Sequence, residues 1–161
     1  MTYYNNIAFT GTTVTRVDPT IDFAWDTGSP AASIGVNTFS ARWTGQVEPQ
    51  FTGTYTFYTQ SDDGVRLWVN GQQIINNWTD HAITENSGTI ALTAGQRYDI
   101  RMEYYENGGG AVARLLWSSA AVAKAVIPSA RLFSAAPPPP PPTTTIFVNF
   151  QTSTAPVPAG Y

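Results

Sequence analysis

Ser61-Asp62-Asp63-Gly64-Val65-Arg66-Leu67-Trp68-Val69-Asn70-Gly71-Gln72 places two adjacent carboxylates at a turn between two runs that read as strands. The run before it, Gly53-Thr54-Tyr55-Thr56-Phe57-Tyr58-Thr59, is rich in the β-branched and aromatic residues that pack well on a pleated surface. After it, Val65, Leu67 and Val69 alternate with Arg66 and Trp68, so a period of two turns the apolar side chains to one face. Asn70-Gly71 closes a two-residue hairpin, because both residue types accept positive φ. Like charges held side by side repel each other. A divalent cation is therefore the expected neutralising partner of Asp62 and Asp63.

The same two-residue period extends outward in both directions. Residues 38–47 predict a strand with Phe39, Ala41 and Trp43 inward and Ser40, Arg42 and Thr44 outward. Residues 97–106 alternate most cleanly, with Tyr98, Ile100, Met102 and Tyr104 opposite Asp99, Arg101, Glu103 and Tyr105. Further strands are expected at 13–17, 88–94 and 113–117, while 21–35, 76–87 and 106–111 read as loops. Ala120 to Val126 reads as a turn or two of helix before Ile127-Pro128. Asp18, Asp22 and Asp26 are spaced four apart, which suits turns better than a helix-loop-helix calcium site, where the acids recur every second residue. Many short strands separated by Gly, Asn and Pro turns predict an all-β fold, an antiparallel β-sandwich or flattened barrel.

The 161 residues suit one domain plus a tail. Residues 1–134 form the predicted β domain. Residues 135–145, with six consecutive prolines, read as an extended polyproline linker, and 146–161 as the start of a following β unit. The chain thus reads as a piece of a larger protein, and Met1-Thr2-Tyr3-Tyr4 has no leader pattern. Charged residues are only 12%, with a net charge of −3 and eight basic residues scattered singly. No basic stripe is available for nucleic acid, and no apolar run predicts membrane insertion. There is no cysteine, so neither disulfides nor thiolate metal sites arise.

The text from Phe39-Ser40-Ala41-Arg42-Trp43-Thr44-Gly45 through Ser61–Gly71, Asn77-Trp78-Thr79-Asp80-His81 and Leu92-Thr93-Ala94-Gly95 resembles the PA14 family. The resemblance continues through Glu103-Tyr104-Tyr105-Glu106-Asn107-Gly108-Gly109 and Ala113-Arg114-Leu115-Leu116-Trp117. It covers residues 1 to about 134 and points toward bacterial carbohydrate-binding, lectin-like and adhesin members. It implies a calcium-dependent carbohydrate-binding module, monomeric and extracellular or at the cell surface, within a secreted multi-domain protein. Residues 146–161 weakly resemble the start of a malectin-like carbohydrate-binding domain. The implied Ca²⁺ ligands are Asp62 and Asp63, joined by a cis peptide, with Asn107 and the backbone near Gly109. Glycans with vicinal hydroxyls would complete the shell, contacting Asp62, Asp63, Asn107, Gly108, Trp78 and His81.

Each residue also has a plainer reading. Asp-Asp-Gly is a good turn on its own, a lone His beside an Asp is usually structural, and one Trp among five usually packs. The competing function is a structural spacer or protein-interaction module that binds no sugar. Catalysis is not expected: the sequence lacks nucleophile motifs, and Glu103 and Glu106 differ in strand parity, so they need not converge.

Overall fold

The structure, a computed structural model, describes residues 1–135. The linker and the 146–161 unit expected from sequence lie outside the described residues, Ala135 apart. Twelve strands follow one another: β1 Thr2–Tyr4, β2 Thr13–Thr15, β3 Asp22–Asp26, β4 Phe39–Val47, β5 Gly53–Asp62 and β6 Val65–Val69. Then come β7 Gln72–Asn77, β8 Thr84–Leu92, β9 Tyr98–Glu106, β10 Ala111–Ser119, β11 Val122–Val126 and β12 Leu132–Phe133.

They form two antiparallel sheets packed face to face. The seven-stranded sheet runs β2-β1-β4-β9-β6-β7, with β12 added beside β4. The five-stranded sheet runs β11-β10-β5-β8, with β3 beside β10. The fold is thus the antiparallel β-sandwich expected, with two separate sheets in place of a flattened barrel. Its core is the inward set of every long strand: Phe39, Ala41, Trp43, Tyr55, Phe57, Leu67, Met102, Tyr104, Leu115 and Trp117 are all buried. Asn70 (φ 50°) and Gly71 (φ 74°) make the hairpin between β6 and β7 as their sequence predicts.

Three stretches differ from expectation. Residues 84–87 belong to β8, because Thr84 to Ser87 pair with Tyr58 to Ser61 of β5. Residues 122–126 form a strand, since Leu116 and Trp117 of β10 offer partners to Val126 and Ala125. Residues 22–26 pair with the first half of β10. In each case pairing decided what composition left open, with a distant strand for 22–26 and 84–87 and through a tight hairpin for 122–126.

Gly88 lies where β8 of one sheet crosses β7 of the other, and a Cβ there would overlap the Ile74 carbonyl oxygen. Gly88→Ala is expected to destabilise the fold by about 1–3 kcal/mol, since a backbone carbonyl cannot swing aside. A thermal melt checks this; an unchanged midpoint would show that the sheets part freely at this edge.

At the flank of the seven-stranded sheet, β1 pairs with residues 40–42 of β4 and β12 with residues 46 and 47. Met1, Trp43, Thr44, Gly45, Ser134 and Ala135 line a cavity between them.

Candidate cation site

The end of the sandwich where β5 turns into β6 gathers three carboxylates. Asp62 and Asp63 arrive at the end of β5, joined by a cis peptide bond. Glu106 arrives at the end of β9: the inward series Tyr98, Ile100, Met102, Tyr104 continues one step further and turns Glu106 into the same interior. One oxygen from each of Asp62, Asp63 and Glu106 lies within 4.8 Å of the others. Asp63 is 5% exposed and Glu106 is 0% exposed.

Asp63 ties two loops to this end. Its Oδ1 accepts the His81 backbone N–H at 2.9 Å, and its Oδ2 accepts the Asn107 backbone N–H at 2.8 Å. The Tyr104 hydroxyl donates to the Asp62 carbonyl oxygen and lies 3.4 Å from Glu106 Oε2. Glu106 Oε1 has no hydrogen-bond partner. A second clamp sits on the rim, where Asp80 accepts from the Tyr105 hydroxyl and from Asn107 Nδ2, both at 2.7 Å.

No Arg or Lys offsets this charge, and the basic group that acts on it is the neighbouring His81, which works to lower the Asp62 carboxyl. All eight Arg and Lys residues form ion pairs elsewhere, with Asp18, Asp22, Glu48, Glu85 or Glu103. Burial, and then the charges of Asp63 and Asp62, push the Glu106 carboxyl up to about 7. Burial and Asp63 also raise Asp62. Asp80 moves the other way, lowered by the hydrogen bonds from Tyr105 and Asn107. Three converging oxygen donors with surplus negative charge and one orphaned carboxylate oxygen suit a hard divalent cation such as Ca²⁺. The residues fit the group.

The other residues singled out in the sequence surround this cluster without all facing it. Asn107 is adjacent, with its N–H on Asp63 and its amide nitrogen on Asp80. Gly108 and Gly109 (φ 110°) are open, and a Cβ on either would meet nothing within 4 Å. A Cβ on Gly110 would lie 3.8 Å from Asp62 Oδ2, so this glycine loop borders the carboxylates. The His81 ring turns into its own loop: Nδ1 lies 2.9 Å from the Ala82 carbonyl, which makes Nδ1 the protonated nitrogen and leaves Nε2 buried. Trp78 packs edge-on against Tyr105 and stacks on Phe9, with the Arg66 guanidinium 3.9 Å from its ring centre. Trp68 likewise carries the Arg101 guanidinium at 4.0 Å.

Glu106 is the residue that sequence reasoning left in the loop. The signal was present, since strand parity alone continues the inward series to 106, but the glycines that follow obscured it. Glu103 faces the other side of β9, held by Arg42 at 2.9 Å and Arg66 at 2.6 Å, so the two glutamates do not converge.

The described residues form a two-sheet sandwich with one end lined by carboxylates. The chain belongs to the PA14 domain family, whose model matches residues 1–131. It is 54% identical over 105 residues to the anti-sigma-I factor RsgI3 of Acetivibrio thermocellus, covering 65% of this chain and 16% of that protein. A solved anti-sigma factor domain-containing protein shares 50% identity at a TM-score of 0.80, over 86% of this chain and 47% of the other. The chain therefore spans less than half the length of either. A PA14 sugar-binding domain from an RTX adhesin aligns at a TM-score of 0.59 with 23% identity, over 73% of this chain and 76% of that one, and shows a shared fold alone. These relations correct the expected placement among secreted, lectin-like adhesins: the stronger likeness is to anti-sigma factors. The family match ends before the stretch read as malectin-like.

Proposed function

We propose that this chain is a calcium-loaded recognition module of a multi-domain regulatory protein, displayed at the cell surface. The likeness to anti-sigma factors supports the regulatory setting, and the sparse charge and β-rich composition support exposure outside the cell. One observation carries the calcium reading: three carboxylates converge at one end of the sandwich, and every Arg and Lys is paired elsewhere. Asp62 and Asp63, with Asn107 and the backbone near Gly109, would hold the ion. A bound Ca²⁺ supplies open coordination positions that oxygen ligands can fill. Vicinal hydroxyls of a glycan are the proposed ligand, approaching over the bare backbone of Gly108 and Gly109.

A second reading keeps the ion but replaces the glycan with a protein partner. Its specific support is that Trp78, the aromatic expected to meet a sugar, already packs against Arg66, Phe9 and Tyr105. A glycan array probed in Ca²⁺ and in EDTA separates the two. Calcium-dependent retention on neutral glycans supports the first reading. No retention, together with a calcium-dependent rise in melting temperature, supports the second. No response to Ca²⁺ in either measurement would remove both.

A further inference from the structure

We propose that Glu106 is itself a ligand of the cation, so that the protein alone supplies three carboxylates and the ion is resident before any partner arrives. This rests on the reading that the acidic end binds Ca²⁺.

Strand β9 contains its own control. Glu103 and Glu106 are three residues apart and both buried, at 4% and 0% exposure. Glu103 has Arg42 and Arg66 within 2.9 Å and Arg101 at 3.9 Å. This is how the fold neutralises a glutamate whose role is packing. Glu106 has no basic partner at all. Its Oε1 is unpaired, and its Oε2 has the Tyr104 hydroxyl at 3.4 Å, which makes its shorter hydrogen bond to the Asp62 carbonyl oxygen. What it does have, within 4.8 Å, are oxygens of Asp62 and Asp63. A fully buried carboxylate aimed at two more carboxylates lacks only a positive charge among them.

The two possible roles predict opposite signs for one substitution. Glu106→Gln keeps the size and removes the charge. If Glu106 is a ligand, the variant in EDTA melts at the same temperature as wild type or higher, since an unpaired buried charge is gone. Its Ca²⁺ affinity, measured by calorimetry without any glycan, falls by about tenfold or more as one carboxylate leaves the donor set. Glu106→Asp, which keeps the charge at shorter reach, recovers part of that affinity. A variant that melts lower in EDTA or fails to fold, or one that keeps wild-type affinity, overturns the proposal. Asp62→Ala is measured alongside. If it abolishes Ca²⁺ binding while Glu106→Gln keeps wild-type affinity, the cation site stands and only the role of Glu106 falls. If wild type gives no Ca²⁺ heat and no shift in melting, the cation reading falls and takes this proposal with it.

Discussion

Asp63→Ala is expected to destabilise the fold by about 3 kcal/mol even in the presence of chelator, whereas Asp62→Ala is expected to stay within about 1 kcal/mol of wild type. The two aspartates are neighbours with different duties. Asp63 is buried, and its two oxygens receive the backbone N–H groups of His81 and Asn107 from two separate loops. Truncation removes two hydrogen bonds to a charged acceptor, each worth about 1.5–3 kcal/mol, and leaves their donors without a protein partner. Asp62 lies nearer the solvent, so what it loses on truncation is mainly a cation ligand. Denaturant melts in EDTA give the difference directly. Saturating Ca²⁺ at about a thousandfold above Kd should then add roughly 4 kcal/mol to wild type and nothing to either variant. Equal behaviour of the two variants in EDTA would show that Asp63 does not brace the loops.

The second large effect is Glu103→Gln, expected to cost about 3 kcal/mol. Glutamine fits the space but cannot balance three guanidinium groups that converge on one point. Arg42 and Arg66 are 36% and 29% exposed, so they can lean partly into water, which places the effect at the lower end for a broken buried pair. Arg101 stands 3.9 Å away and is 47% exposed, so Arg101→Ala should change stability far less. Denaturant titration of both variants checks the ranking. A loss no larger for Glu103→Gln than for Arg101→Ala would show that the arginines repel each other little.

Much of the fold could be read from alternation. Residues 38–47, the hairpin at Asn70-Gly71 and the two faces of 98–105 all emerge where one strand face is apolar, because burial itself writes the period. Residues 84–87 escaped because Thr84-Glu85-Asn86-Ser87 is polar throughout, and only pairing with β5 makes it a strand. Residues 22–26 and 122–126 escaped for a related reason: both lie along β10, and β10 decides their conformation. At the site, Asp62 and Asp63 were legible because they are adjacent in sequence. The hydrogen bonds that give them unequal roles were not, since they come from residues 81 and 107, brought close only by the folded sheets. Trp78 looked available to a ligand because sequence shows its chemistry but not that Arg66 and Phe9 already lie against it.

The cavity between β1 and β12 fixes how forces travel through this domain. Met1 and Ala135 line the same gap along β4, so the first and last described residues lie on one side of the domain. A pull applied at those two residues would peel the short strands β1 and β12 from β4 before it strained β5 or β9. The carboxylates at the ends of those strands would keep their arrangement under load.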